Sequence, residues 1–251
     1  MKNTFWISTA PRTGSMWLFN VVREIFFINK YNVIPSKVPK YDTDFLEIYK
    51  SKSLADQNEL NKYVFKVHSS LKSNLLNSKI LTTIRDPRDV CASFREFMKS
   101  DFNRAILAAK NMIDFVKRYK SYKRDYLMFL KYEDIENDPV NMIINISKFI
   151  ECQINFAKAD IISKKFTKDN VKKLIKNIDK KIKEKQSINQ SEIAYISKDN
   201  FRAFDINTGF QTNHISNRNS GDWKQVFSRK EIDIINSDVK INFFCAEYNY
   251  N

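Results

Sequence analysis

Glycine is nearly missing from this chain. There are three in 251 residues, where average usage of about 7% would supply roughly 18. That leaves no glycine-rich linker, and it reserves glycine for places where φ is positive or backbone must pass close to another group. Cysteine is as sparse. Cys91, Cys152 and Cys245 are odd in number, far apart and without a CxxC pair, which excludes a disulfide framework and a cysteine zinc site and suits a reducing compartment. No run of 18 apolar residues occurs, so no membrane-spanning helix is expected. Residues Met1 to Ser8 lack the apolar stretch and small-residue cleavage site of a secretory leader. The expected location is cytoplasmic.

Acidic side chains are also in deficit. Lys and Arg number 43 against 29 Asp and Glu, a net charge of +14, which predicts an anionic partner. Half of that excess lies in residues 164–185, which hold ten lysines and only Asp169, Asp179 and Glu184. There Val171, Leu174, Ile175, Ile178 and Ile182 recur at helical spacing, so the lysines coat an amphipathic helix. Such a coat is either a solvated face or a surface that steers an anionic acceptor or meets a membrane.

What is present reads as a globular α/β chain: 43% apolar, 14% aromatic and 29% charged residues, forming one domain over 1–251. Strands are expected at Thr4–Thr9, Tyr63–Val67, Ile80–Ile84 and Tyr126–Leu130. Helices are expected at Met16–Ile28, Pro87–Lys99, Asn103–Ser121 and Pro139–Ile150, two of them opened by Asp-Pro. A short helix fits Phe45–Tyr49, and residues 186–222 read as polar and irregular. Strands alternating with helices imply a central parallel sheet covered on both faces, with ligands bound at the edge where the strands end. Extra C-terminal helices are expected beyond Ser228.

Three segments carry chemistry. Ser8-Thr9-Ala10-Pro11-Arg12-Thr13-Gly14-Ser15-Met16-Trp17 joins a strand to a helix, where backbone N–H groups and the helix dipole hold phosphate. It lacks the second glycine and the lysine of a GxxxxGK[ST] loop. Ile80 to Ser93 ends a strand on Arg85 and places Ser93 in the next helix, a guanidinium fork and a hydroxyl able to share one phosphate. Ile215-Ser216-Asn217-Arg218-Asn219-Ser220-Gly221-Asp222-Trp223-Lys224 is a polar turn that can form an anion nest. Phe65-Lys66-Val67-His68 ends another strand on the ligand edge, and an imidazole there is a natural proton acceptor near neutral pH.

Together these resemble the family of sulfotransferases that use 3′-phosphoadenosine-5′-phosphosulfate (PAPS). The family pattern PKSGTTW is matched by Pro11 to Trp17, the second element by Arg85 to Ser93, and the Tyr-Glu-Asp segment by Tyr132-Glu133-Asp134. The third pattern, RKGxxGDWK, is matched only in Gly221-Asp222-Trp223-Lys224. Arg12 stands where the soluble small-molecule enzymes have lysine, Met16 replaces a hydroxyl residue, and Ser216-Asn217-Arg218 replaces Arg-Lys-Gly. The family's dimerisation pattern has no good counterpart at Ser228-Arg229, which leaves the oligomeric state open.

The resemblance implies a three-layer sandwich related to P-loop nucleotide kinases. It implies that Arg12, Thr13, Gly14, Ser15, Met16 and Trp17 cradle the 5′-phosphosulfate, with the rings of Trp17 and Tyr132 near the adenine. Arg85 and Ser93, helped by Ser216, Asn217 and Arg218, would grip the 3′-phosphate. His68 would be the general base, with Arg12 and Lys66 stabilising charge on the bridging oxygen. No metal is implied. The product would be adenosine 3′,5′-bisphosphate (PAP), and the acceptor a small molecule, carbohydrate or lipid with a hydroxyl, or an amine. His214 is read as packing or a minor contact. Segments 29–62, 101–125 and 186–213 would meet the acceptor, with Tyr31, Phe45, Phe97, Phe102 and Phe201 as candidate lining. The other readings are a nucleotide or small-molecule kinase on the same architecture, and a basic binder of nucleic acid or membrane surface.

Overall fold

A computed structural model of the chain describes residues 3–53, 58–71, 78–120, 122, 124–183, 192–197, 202–212, 215–216 and 218–250. The chain opens with β1 (Thr4–Ser8), α1 (Ser15–Ile28), β2 (Asn32–Ile34), α2 (Asp42–Ile48) and β3 (Asn61–Val67). It continues through β4 (Lys79–Ile84), α3 (Pro87–Met98), α4 (Phe102–Tyr119), β5 (Leu127–Lys131), α5 (Tyr132–Asn137) and α6 (Pro139–Phe149). Then come α7 (Phe156–Lys165), α8 (Lys168–Lys183), β6 (Ile193–Ser197), β7 (Arg202–Asp205), α9 (Arg229–Ser237) and α10 (Val239–Tyr248).

Strands β1 to β5 form one sheet in the order β2-β3-β1-β4-β5, parallel at every pairing. β1 lies in the middle because every one of its residues is fit for burial: Phe5, Trp6 and Ile7 are 2%, 0% and 0% exposed. Burying three such side chains stabilises the fold by about 1.5–3 kcal/mol each. From β1 the chain crosses toward β2, and from β4 it crosses the other way toward β5. Right-handed crossovers therefore put α1 on one face of the sheet and α3 and α4 on the opposite face. Helix α1 packs with α6 and α7, and α10 packs with α3 and α4. Adjacent strands whose connections leave in opposite directions open a crevice at their C-terminal ends, and here those strands are β1 and β4.

Helix starts follow the capping chemistry. Asp86, Asp101, Asp138 and Asn155 each accept a first-turn backbone N–H, and Ser228 and Glu231 form a reciprocal capping box. Such caps contribute about 1 kcal/mol apiece.

The expected strands and the long helices up to Ile150 fall within about two residues of their observed bounds, and the short helix expected at Phe45–Tyr49 starts three residues earlier, at Asp42. Three expectations change. The lysine-rich stretch is two helices, because Thr167 interrupts it and accepts the Asn170 N–H at its hydroxyl (3.3 Å). Several of its lysines lie in ion pairs: Lys164 with Asp160 (2.6 Å), Lys165 with Glu24 (2.7 Å) and Lys181 with Glu192 (2.9 Å). Residues 186–222 are not wholly irregular, since β6 and β7 pair antiparallel and bury Ile193, Ala203 and Phe204. Finally, β2 adds an edge strand of three residues, too short to register as a periodic pattern. Cys91, Cys152 and Cys245 are free and buried. Among the described residues, no helix is long and apolar enough to cross a membrane.

Candidate active site

The loop after β1 is shaped by two residues with positive φ, Arg12 (69°) and Gly14 (94°). Arginine pays a penalty in the left-handed region, and here two contacts hold it there. Its carbonyl accepts Nη1 of Arg85 (3.1 Å), and its own Nε donates to Ser93 Oγ (3.0 Å). The Arg12 guanidinium also lies 4.4 Å from the centre of the Phe97 ring. Gly14 caps α1 and lets the loop run close beneath the Tyr132 ring. Arg85 covers that same ring, its guanidinium carbon 4.1 Å from the centroid.

Between these groups lies a cavity of about 590 Å³, within the range that holds drug-sized ligands. Arg12, Gly14, Ser15, Met16, Trp17, Arg85, Ser93, Tyr132, Ser216 and Arg218 all line it. The sequence motifs thus converge on one space, although they are separated by up to two hundred residues. Thr13 does not line it. Its hydroxyl turns inward, donating to the Ala10 carbonyl (2.8 Å) and meeting the Thr83 hydroxyl (2.7 Å), so its side chain joins β1 to β4. Asn217 and His214 lie outside the described residues.

Charge in the cavity is strongly positive. Burial, and then the neighbouring Arg85, push the Arg12 guanidinium down to about 10, which leaves it protonated at neutral pH. Arg218 is paired with Asp89 (3.5 Å) and Glu96 (3.2 Å). Even so, the buried Nε atoms of Arg85 and Arg218 have no hydrogen-bond acceptor among the described residues. A buried unmet donor costs about 1–3 kcal/mol.

The motif residues that do not face the cavity hold its walls. Asp89 is 0% exposed and accepts the Gly221 N–H at 2.7 Å, tying the Asn-Ser-Gly-Asp turn to α3. Gly221 meets this geometry at φ 90°. Trp223 is buried beneath Arg88, 5.4 Å from ring centre to guanidinium, and so anchors the turn. Glu133 accepts the Asp86 N–H (3.0 Å) and the Tyr250 hydroxyl (3.1 Å).

His68 and Lys66 sit beside the loop without lining the cavity. His68 Nδ1 faces the Thr9 carbonyl at 3.0 Å and must therefore carry the proton, which leaves the lone pair on Nε2. Lys66 Nζ lies 3.3 Å from Nε2. Burial and the Lys66 ammonium push the imidazole down to about 4, partly offset by Asp42. His68 is thus a neutral imidazole with its lone pair on Nε2.

Sequence reasoning missed several participants. Asp42, Glu96, Glu136 and Lys168 belong to no motif. Glu136 accepts from Ser220 and pairs with Lys168, and the turn between α7 and α8 supplies Phe166 and Thr167 to the cavity wall. Of the aromatic candidates for the acceptor, Phe45 is core at 1% exposure. Tyr31 packs on Phe26, Phe102 packs on Phe227, and Phe201 lies outside the described residues.

Known proteins share both the sequence and the architecture. A rabbit (Oryctolagus cuniculus) amine sulfotransferase is 26% identical over 193 residues, covering 66% of this chain and 62% of that protein. Human sulfotransferase 4A1 is 25% identical over 185 residues, covering 63% of each. The match thus spans under two thirds of either relative's length. The fold is shared with mouse sulfotransferase SULT7A1 solved with PAP, at TM-score 0.62 and 14% identity over 100% of this chain and 89% of that one. It is shared also with retinol dehydratase solved with androsterone and PAP, at TM-score 0.58 and 16% identity over 94% and 79%. The sulfotransferase domain model matches residues 2–242, and with nearly the whole length accounted for, the chain belongs to the sulfotransferase domain family.

Proposed function

We propose that this chain, one domain over its 251 residues, transfers the sulfuryl group of PAPS to an acceptor hydroxyl or amine. The observation that carries the reading is a cavity ringed by Arg12, Arg85 and Arg218, two of them with an unmet buried Nε, beside a neutral histidine. The residues fit a nucleotide with two anionic ends. The backbone of Arg12 to Trp17 faces the 5′ end, with the Trp17 and Tyr132 rings against the base. Arg85 and Ser93, supported by Ser216, Asn217 and Arg218, take the 3′-phosphate. PAPS supplies an activated sulfuryl group on a good leaving group.

His68 Nε2 takes the acceptor proton as the acceptor oxygen or nitrogen attacks in line. Arg12 and Lys66 stabilise the charge left on the bridging oxygen. Arg12 cannot yield a proton, so its contribution is electrostatic, the term that usually dominates such transfers. The acceptor is a small hydroxyl or amine compound, carbohydrate or lipid. The rabbit relative is named for amines, and retinol dehydratase has been solved with retinol and with androsterone. The reaction needs no metal, and its place is the cytoplasm.

The test is thermal stabilisation by PAP, measured against AMP and against ATP with Mg²⁺. A ligand at 100 times its Kd adds about 2.7 kcal/mol to the folded state. A shift with PAP alone is the expected result. A shift with ATP and Mg²⁺ instead would turn the reading toward a kinase.

A further inference from the structure

We propose that Asp42 is the positioning residue of the transfer site, holding the Lys66 ammonium on the lone pair of His68. The proposal rests on His68 being the base, as argued above.

Lys66 and His68 are two residues apart at the end of β3 and so emerge on the same face. β3 pairs with β1 only as far as Val67, which leaves the His68 N–H beyond the ladder. Asp42, in the first turn of α2, serves both residues at once. Its Oδ2 accepts the His68 N–H at 2.7 Å, and its Oδ1 accepts Lys66 Nζ at 3.3 Å. The Lys66 side chain is 10% exposed, and a cation so buried needs a counter-charge. Among the described residues, the charged groups that act on the imidazole are Lys66, Asp42 and Arg12, with the Thr9 carbonyl on its far side. Asp42 is the one anion of that set.

Two consequences follow. In the resting protein Lys66 donates into Nε2, so the base is covered. When an acceptor takes that position, Lys66 is displaced but stays tethered to Asp42, within reach of the leaving group. A carboxylate that only completed the end of β3 would need one oxygen, and this one uses both.

Nitrogen NMR on histidine-labelled protein without nucleotide reads the arrangement directly. The chain has two histidines, so His68 is assigned by its loss in His68→Gln. The expected result is that Lys66→Met moves Nε2 downfield, Asp42→Asn moves it the same way, and the double variant moves it no further. An Nε2 resonance unchanged in Asp42→Asn, or additive shifts in the double variant, overturns the proposal. Asp42→Ser keeps an acceptor for the His68 N–H and repeats the test should Asn disturb the fold.

Turnover of 2-naphthol or 2-naphthylamine with PAPS provides the second arm. Asp42→Asn should cost roughly tenfold in the native background and less than about twofold beside Lys66→Met, as expected of residues acting as a unit. Native turnover in His68→Ala would overturn His68 as the base, while the NMR result would still decide whether Asp42 holds Lys66.

Discussion

The backbone at Gly14 passes so close under Tyr132 that a Cβ built there would lie 2.8 Å from the ring carbon Cδ2. With φ at +94°, any side chain at this position is strained before it meets the ring. Gly14→Ala should therefore destabilise the protein by about 1–2 kcal/mol and weaken PAP binding at least tenfold by displacing Tyr132. Isothermal titration and a denaturant melt check the two effects separately. Native PAP affinity in the variant would show that Tyr132 does not contact the nucleotide.

Arg85 should discriminate between nucleotides. Arg85→Ala is expected to weaken PAP by about 2–3 kcal/mol, the worth of a charge-assisted contact, and to leave AMP nearly unaffected. Equal losses for both would place Arg85 away from the 3′-phosphate.

His68 carries a rate prediction and a pH prediction. His68→Ala should lower turnover by about 10²–10⁴-fold with PAP binding intact. The folded protein holds this imidazole near 4, against 6.5 for the free side chain. Between those values the unfolded chain binds the proton and the folded one does not, so stability falls as pH drops from 6.5 toward 4. The full loss is on the order of 3 kcal/mol. Melting curves of native protein and His68→Ala across that window should converge toward low pH. Parallel curves would mean that His68 is not held neutral.

Asp89 should behave as a structural anchor. It binds the Gly221 N–H and the Arg218 guanidinium from a fully buried position. Asp89→Ala leaves the Gly221 N–H without its acceptor and Arg218 with Glu96 alone, and is expected to cost about 3–5 kcal/mol, with loss of PAP binding. A stable variant with native affinity would show that the turn holds itself.

The cavity was legible where chemistry is written in short range. A strand, a tight turn and a helix lie within a dozen residues around Gly14 and again around Arg85, so their motifs expose both the element and its purpose. Ser93 followed from the same local frame, whereas Tyr132 followed from the resemblance of Tyr132-Glu133-Asp134 to the family pattern. Thr13 shows the limit, because a motif gives the loop but not which way one hydroxyl turns. Asp42 was not legible, since it meets Lys66 and His68 only after 24 and 26 residues of chain fold back. Glu136 and Lys168 come from helices whose patterns report only which side faces the core. The hairpin of β6 and β7 was hidden by its polar surroundings, and the helix break at Thr167 by lysines that run unbroken across it.

The central position of β1 also has a cost during synthesis. Its neighbours are β3 and β4, so the segment with Phe5, Trp6 and Ile7 leaves the ribosome well before either flank exists. At roughly 5–20 residues per second, the last of β4, at Ile84, follows some seconds later. Until β3 and then β4 emerge, these apolar side chains lack their strand neighbours, and parallel pairings between distant segments form slowly. Yield in a heterologous host should therefore depend on holdase chaperones and on temperature more than the stability of the finished fold would suggest.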